Sequence, residues 1–231
     1  MLTAPQNQAQ RLGFLREKIA AAARVSGRDP TAVTLVGVAK SQPLPRILEA
    51  IDGGLADIAE NYLQEAREHI AAFSGRALTW HFIGALQSNK TRPVAELFDW
   101  VHTVDRLKIA ERLAEQRPRE RRPLSVCIQV RLGGEASKSG VEPGELAALA
   151  GKIATLPRLA LRGLMTLPPE ESDVERQRHW FRELQRLLLE LNGAGHRLDA
   201  LSMGMSADFE SAVAEGATHL RIGSALFGPR G

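Results

Sequence analysis

Short apolar runs alternate with longer amphipathic segments along most of the chain. The runs cover eight stretches: 34–39, 56–59, 78–83, 100–104, 125–130, 161–167, 200–203 and 218–223. The segments between them repeat apolar residues at helical spacing, as in 173–192, where Trp180, Leu184 and Leu188 share one face. A helix is also predicted before the first run, from about Asn7 to Ser26. The pattern therefore indicates repeated strand–helix units that follow an N-terminal helix.

Eight such units in 231 residues are typical of a (β/α)8 barrel, which usually has about 250 residues. A doubly wound open sheet is the alternative, because the runs 56–59 and 200–203 are short and such a sheet needs fewer strands. No segment rich in Gly, Ser or Pro divides the chain. We therefore predict an α/β fold, a single TIM-type (β/α)8 barrel domain over residues 1–231 with an extra N-terminal helix. The basic segment 117–123 is interpreted as a solvated loop.

Composition narrows the class of protein. The 30 basic residues nearly balance the 27 acidic ones, and the basic segment has no aromatic neighbours, so no nucleic-acid surface is predicted. The only cysteine, Cys127, lies in an apolar run and is expected to be a buried, inert thiol. No apolar run approaches the ~18 residues of a membrane span and no leader is evident, so we expect a cytoplasmic protein without a membrane span. The histidines lack metal-ligand spacing, so no metal site is predicted, and each is interpreted as a packed or surface residue.

The residues that follow the runs carry the candidate chemistry, because active sites in such barrels lie at the carboxyl ends of the strands. Lys40 closes the first run, and Asn61 follows the second. The loops after the seventh and eighth runs, "MGMSAD" and "RIGSALFG", supply small residues, hydroxyls and helix starts with free N–H groups, as phosphate sites do. An alternative for Ser206 is a plain helix N-cap, with Asp208 in the first turn.

Lys40 lies where an apolar run stops. An amine in such a place can attack an aldehyde and form a Schiff base, and an aldehyde that carries a phosphate would use both the lysine and the two loops. The alternative is a strand-end lysine that reaches into solvent. A Schiff-base aldolase acting on a sugar phosphate would fit the barrel and Lys40. The usual motifs of acyl transfer, nucleotide hydrolysis and dinucleotide redox chemistry are absent from the sequence.

Several segments closely resemble one family. They are "VGVAKSQP", "AENYLQEA", "WHFIGALQSNK", "VHTVDRLKIAERL", "EASKSGV", "LRGLMTLPP" and "LSMGMSADFESAVAEGATHLRIGSALFGPR". Over nearly its full length the chain is similar to the pyridoxal 5'-phosphate homeostasis proteins, relatives of the N-terminal barrel of alanine racemase. The resemblance implies that the cofactor is pyridoxal 5'-phosphate, bound by six residues: Lys40, Asn61, Ser206, Arg221, Gly223 and Ser224.

The resemblance also implies a role for each of these residues. Lys40 would form the internal aldimine, Asn61 would line the pocket, and the two late loops would hold the phosphate. Arg221 would face the pyridine nitrogen. Because a guanidinium does not readily give up its proton, that nitrogen would stay unprotonated and the ring would be a weak electron sink. The alternative for Arg221 is an ion pair with a nearby acid such as Glu60.

Two functions from different classes are compatible with this site. The first is a binding protein that stores and shields pyridoxal 5'-phosphate and delivers it to apoenzymes, with no substantial turnover. The second is an amino-acid racemase, which needs a base on each side of the substrate α-carbon. The chain ends at Gly231 without a second domain to bring that base, and Tyr62 is the only tyrosine, so the first function is preferred. We expect a monomer.

Lys138, in the segment "EASKSG", is a further candidate. It is predicted to follow the fifth strand at the same end of the barrel, where it would relay the aldehyde during release. The alternative is a surface lysine near Glu135. The sequence departs from the family at Gln42, where a second lysine is frequent.

Overall fold

Parallel strands close into one barrel in the computed structural model, which describes residues 7–133 and 139–228. The strands are β1 (Thr34–Val38), β2 (Asp57–Glu60), β3 (Thr79–Phe82), β4 (Trp100–Val104), β5 (Leu124–Gln129), β6 (Leu159–Met165), β7 (Ala200–Ser202) and β8 (His219–Ile222). They follow one another in chain order, and β1 pairs with both β2 and β8. This closure confirms the TIM-type barrel and excludes the open doubly wound sheet.

Helices surround the barrel and connect its strands. Within the described residues they are α1 (Gln8–Val25), α2 (Leu44–Asp52), α3 (Leu63–Ala72), α4 (Thr91–Leu97), α5 (Leu107–Gln116), α6 (Pro143–Ala154), α7 (Val174–Gly193), α8 (Phe209–Ala214) and α9 (Ser224–Phe227). The predicted extra helix is confirmed as α1, which starts where the Asn7 side chain accepts a hydrogen bond from the Gln10 amide. It packs on α2, α8 and α9, beside the junction of β8 with β1. None of the described helices is long and apolar enough to cross a membrane.

The strands bury apolar side chains on both faces, because successive residues of a strand point to opposite sides. The larger cluster fills the space between strands and helices. A small second cluster contains Trp100, Cys127, Met165 and Ala200, which come from β4 to β7 and pack inside the barrel. The expected burial of Cys127 is confirmed, and burial raises its pKa to about 12, so the thiol stays protonated at neutral pH.

Aromatic and histidine rings occupy the interior beside this cluster. The Trp100 ring lies 4.7 Å from the His219 ring and 5.8 Å from the His81 ring, centroid to centroid. The Arg162 guanidinium lies over the Trp100 ring at 5.0 Å and forms a bidentate ion pair with Asp199. The interior of the barrel is therefore partly polar, although the sequence pattern of each strand is mainly apolar.

The segment 117–123 joins α5 to β5, as predicted, but the prediction of a solvated loop is wrong for Arg117. This side chain is buried, and its Nη1 donates to the carbonyls of Ala95 and Phe98, both at 2.7 Å. These acceptors lie near the end of α4, where helix carbonyls lack partners within the helix. The neighbouring side chains are exposed or half-buried. Arg117 therefore fastens the end of α4 to the loop before β5.

We predict that a single methyl group added at Gly163 destabilises the barrel. A Cβ atom there would lie 1.7 Å from the Ala200 carbonyl oxygen on the neighbouring strand. Gly163→Ala should therefore lower the free energy of unfolding, measured in urea, by about 3 kcal/mol. Gly151→Ala on the exposed face of α6, where no atom lies within 4 Å, should instead raise it by about 0.5–1 kcal/mol. Equal stability of the two variants would contradict the close strand approach.

A second prediction concerns stability in acid. Burial, with a smaller contribution from His81, lowers the pKa of His219 from 6.5 to about 4. The unfolded chain therefore binds a proton between these pH values that the folded chain does not, so stability falls as the pH drops through this window. Urea unfolding at pH 7 and pH 4 should show that the wild type loses about 3 kcal/mol more than His219→Asn. Equal losses would show that His219 is not held neutral.

Candidate functional site

The predicted site residues follow four strands that are neighbours around the barrel. The closed order places β7, β8, β1 and β2 side by side, with their carboxyl ends at one rim. Lys40 follows β1, Asn61 follows β2, Ser206 follows β7, and Gly223 and Ser224 follow β8. Arg221 lies within β8 itself. The structure thus brings all six predicted residues to one half of the rim, although the last of them lies 184 positions after the first in the sequence.

A tight turn directs Lys40. The next residue, Ser41, has a φ of 56°, a left-handed conformation that is costly for a residue other than glycine. Its amide donates to the Glu65 carboxylate of α3 at 2.7 Å, so an acidic side chain holds the strained turn in place. The Lys40 Nζ lies 4.9 Å from the centroid of the Tyr62 ring. Within residues 7–133 and 139–228, nothing accepts a hydrogen bond from this Nζ, so the half-buried amine is available to a ligand.

Asn61 lies under the loop that follows β3. A Cβ atom on Gly84 would lie 2.0 Å from the Asn61 carbonyl oxygen, so only glycine allows this loop to pack so closely. The Asn61 Oδ1 is buried and has no hydrogen-bond partner among residues 7–133 and 139–228. A surface cleft of about 1120 Å³ adjoins it, lined in part by Tyr62 and Lys90. An unsatisfied acceptor in this position suits a ligand that brings a hydroxyl donor.

The two late loops are joined by one hydrogen bond. The Ala225 amide donates to the Ser206 Oγ at 3.2 Å, across the gap between the loops that follow β7 and β8. The alternative role of Ser206 as a helix N-cap is wrong, because α8 starts at Phe209 with Asp208 in the cap position. The Asp208 carboxylate instead accepts from the Met205 amide at 2.6 Å.

Two backbone amides at this end of the barrel are candidate donors to an anion. The amides of Gly223 and Ser224 donate to no protein group in the described ranges. The absence of a side chain at Gly223 leaves space above β1, since the nearest atom to a Cβ there would be the Val38 Cβ at 3.7 Å. These two amides and the Ser206 and Ser224 hydroxyls are donors of the kind from which phosphate oxygens accept hydrogen bonds.

Arg221 is buried in the barrel, and its partners are neutral. Its Nη1 donates to the Ser202 Oγ at 2.7 Å, and its Nη2 donates to the Thr166 carbonyl at 2.9 Å. Burial lowers the pKa of the guanidinium to about 10, and the carboxylate of Asp208 opposes this shift, so the group is charged at neutral pH. A guanidinium has five N–H groups, and these bonds leave others for a ligand.

The alternative pairing of Arg221 with Glu60 is wrong. Glu60 is fully buried, but its carboxylate Oε1 lies 2.6 Å from the His69 Nδ1 of α3. Residues 57 and 59 of β2 pair with the inward-facing residues of β1, so Glu60 points outward to the helices. Burial raises the pKa of Glu60, and the hydrogen bond from His69 opposes the shift.

Sequence reasoning missed the residues beneath Arg221. The His102 Nδ1 lies 2.6 Å from the Ser202 Oγ, and the His102 Nε2 lies 2.9 Å from the His81 Nδ1. The His81 Nε2 in turn lies 3.0 Å from the Asp57 carboxylate. The interpretation of these histidines as packed residues is confirmed, but their connection was not predicted. The available signal was a histidine at an inward position in each of two apolar runs, "LTWHFI" and "WVHTV".

No group of three or more histidine, cysteine, aspartate or glutamate residues in the described part of the chain could hold a metal ion. Lys138, the candidate for aldehyde relay, lies outside the described residues. Gln42 is buried, and its Oε1 has no hydrogen-bond partner among the residues that the structure describes.

Comparisons with known proteins identify relatives along nearly the whole chain. A family model described as "Alanine racemase, N-terminal domain" matches residues 10–231. The pyridoxal phosphate homeostasis protein of Pseudomonas aeruginosa is 52% identical over 222 residues, which are 96% of this chain and 95% of the relative. The protein of the same name from Escherichia coli is 49% identical over 225 residues, 96% of each chain.

Solved structures agree with this relationship. The structure of PipY of Synechococcus elongatus with pyridoxal phosphate bound has a TM-score of 0.86 and 36% identity, and the match covers 96% of this chain and 100% of PipY. Alanine racemase of Clostridium difficile has a TM-score of 0.72 at 14% identity, which shows a common fold over 94% of this chain and 56% of the racemase. The chain therefore belongs to the alanine racemase N-terminal domain family and, within it, to the pyridoxal phosphate homeostasis proteins.

Proposed function

We propose that this protein binds pyridoxal 5'-phosphate at the carboxyl ends of β7, β8, β1 and β2 and acts in intracellular homeostasis of that cofactor. The observation that carries the proposal is the arrangement at one rim: a lysine amine and two backbone amides without partners in the described ranges, with a buried, charged arginine beneath them. Relatives about half identical in sequence bear the name of pyridoxal phosphate homeostasis proteins, which supports the same role here. We further propose that residues 1–231 form a single barrel domain, active as a monomer in the cytoplasm.

Each residue of the site has a part in binding that follows from its chemistry. The Lys40 amine can condense with an aldehyde and release one water molecule. The amides of Gly223 and Ser224 and the hydroxyl of Ser206 can donate to phosphate oxygens. The buried Asn61 Oδ1 can accept from a ring hydroxyl, which would satisfy an acceptor that has no partner in the part of the chain that the structure describes. When bound, pyridoxal phosphate supplies an electrophilic aldehyde, which a storage protein must keep from other amines.

Arg221 favours a binding role over turnover. Its guanidinium keeps its proton at neutral pH, because even after burial its pKa is about 10. A neighbouring ring nitrogen therefore stays unprotonated, which limits the stabilisation of a carbanion. We infer that the protein shields the cofactor and passes it to apoenzymes that depend on it, without substantial racemase, transaminase or decarboxylase activity.

An amino-acid racemase is the second candidate, and the position of Tyr62 favours it. This residue is the only tyrosine, and its ring lies against the Lys40 amine. A lysine and a tyrosine on opposite sides of a substrate α-carbon could act as two bases. The side chain is half-exposed, however, and the contact is with the face of its ring, so no described residue positions the hydroxyl.

The first test of the binding role is covalent attachment. Borohydride reduction of the protein loaded with pyridoxal 5'-phosphate should fix the cofactor to the peptide that contains Lys40, as measured by mass spectrometry. Lys40→Ala should abolish this label and still bind the cofactor, because the phosphate loops and Arg221 are intact. Lys90→Ala is the matched control, since Lys90 is an exposed lysine of the adjoining cleft. An undiminished label in Lys40→Ala would contradict the assignment.

The second test separates the two candidate functions. Alanine and serine are incubated in heavy water with the loaded protein, and deuterium at the α-carbon is followed by NMR. We expect exchange no faster than with free pyridoxal 5'-phosphate, because Arg221 keeps the ring nitrogen unprotonated and no residue within the described ranges positions the Tyr62 hydroxyl. Exchange well above that control, abolished by Tyr62→Phe, would establish the racemase alternative instead.

A further inference from the structure

A chain of hydrogen bonds runs through the barrel from Arg221 to its amino-terminal end. It passes from the Arg221 Nη1 to the Ser202 Oγ, then through both nitrogens of His102 and both nitrogens of His81, and it ends at the Asp57 carboxylate. The four distances are 2.7, 2.6, 2.9 and 3.0 Å. The chain joins β8, β7, β4, β3 and β2, so it crosses the interior from one side to the other. Nothing in the binding role described above requires it to extend beyond Ser202.

When each imidazole carries a single proton, the two ends determine the direction of every hydrogen bond in the chain. Arg221 can only donate, so the Ser202 oxygen accepts and its hydroxyl proton is free to donate to the His102 Nδ1. An Asp57 carboxylate oxygen accepts at the other end, so the single proton of His81 lies on Nε2. The His81 Nδ1 then accepts from the His102 Nε2–H, and both imidazoles carry their proton on Nε2.

The surroundings of His102 also favour the neutral form. The ring is fully buried, and burial together with the nearby His81, His219 and Arg221 lowers its pKa well below the usual value. Charged and titratable groups from the other elements around the interior are also near the chain: Cys127, Arg162, Asp199, Asp208 and His219. In the described structure, the hydrogen bonds of Arg162, Asp199, Asp208 and His219 go to groups outside this hydrogen-bond chain.

The far end of the chain is accessible to solvent. The Asp57 side chain is 26% exposed, while those of His81 and His102 are fully buried. Asp57 also lines an open cavity of about 450 Å³ at the amino-terminal end of the barrel, together with Arg16 and Thr34. The acceptor end of the chain therefore lies at this opening, and a carboxylate oxygen that accepts from the His81 Nε2 sets the direction of the chain.

We propose that His102 and His81 are positioning residues for pyridoxal phosphate, which act through Ser202 to hold the Arg221 guanidinium in the orientation that faces the ring nitrogen. Every donor in the chain points away from Arg221, so the chain presents the negative ends of its dipoles to the guanidinium. Without His102, the Ser202 hydroxyl would be free to rotate. Its proton could then point toward the guanidinium in place of the lone pair that accepts from Arg221. This inference rests on the proposed function, because the ring nitrogen belongs to the proposed cofactor.

The first experiment uses the protein without cofactor, so it does not depend on the proposed function. Nitrogen-15 NMR of the imidazole side chains should show that His81 and His102 both carry a proton on Nε2, and that both Nδ1 atoms are unprotonated hydrogen-bond acceptors at pH 7. A proton on either Nδ1, or a charged imidazolium in this pair, would overturn the proposed direction of the chain. Failure to bind pyridoxal phosphate would count against the proposed function and leave this result unchanged.

The second experiment measures the effect on the bound cofactor. Ser202→Ala and His102→Leu should weaken binding of pyridoxal 5'-phosphate about tenfold, because each removes a bond that supports a charged group, and both should shift the absorption maximum of the bound cofactor. His102→Asn keeps an acceptor near the position of Nδ1 and should restore both properties. His219→Asn is the matched packing control, since His219 contacts the same rings but bonds only to Thr218.

The controls separate positioning from general packing. Circular dichroism and urea unfolding identify any variant that fails to fold, and for such a variant the NMR result on the wild type decides the proposal. Equal changes in affinity and absorption for His102→Leu and His219→Asn would show that the histidines only fill space, and would overturn the proposal. The proposal would also be overturned if His102→Asn restored stability but did not restore the absorption maximum.

Discussion

The guanidinium charge inside the barrel is the constraint on which the rest of the site depends. An unpartnered charge in a protein interior costs several kcal/mol, so Arg221 requires acceptors that are also buried. Thr166 supplies a carbonyl and Ser202 a hydroxyl, and the histidines beneath Ser202 orient that hydroxyl. The apolar cluster of the interior is small because these polar groups occupy much of the space. The same bonds hold the guanidinium in one orientation. A ligand that contacts this group therefore meets donors in fixed positions.

The reactive groups at the rim depend on the backbone as much as on side chains. A left-handed Ser41, held by Glu65, turns the chain directly after Lys40. Close packing at Gly84 covers Asn61, and the bond from Ala225 to Ser206 ties the two phosphate loops together. These features lie on connections between strands and helices, where such barrels vary while the strands stay constant. The binding residues at this rim are therefore carried by a rigid set of strands and positioned by the turns that follow them, of which the turn at Ser41 is strained.

The strands, the N-terminal helix and the position of Lys40 could be predicted because each leaves a local signal in the sequence. Apolar runs, helical spacing and a lysine at the end of a run are visible within a few residues. The resemblance to a family indicated Arg221 and the phosphate loops. The partners of Arg221 could not be predicted, since His102 and Ser202 are 100 positions apart and meet only because the barrel closes. The burial of Arg117 depends likewise on carbonyls about 20 positions away.

The most direct test is a crystal structure of the protein with pyridoxal 5'-phosphate. We expect phosphate oxygens at hydrogen-bond distance from the amides of Gly223 and Ser224, and continuous electron density from the Lys40 Nζ to the cofactor. We also expect an Arg221 N–H group directed at the ring nitrogen, with a separation of about 3 Å, while the bond to Ser202 is kept. A cofactor bound elsewhere on the protein, or a ring nitrogen that meets a carboxylate instead of Arg221, would contradict the proposed site.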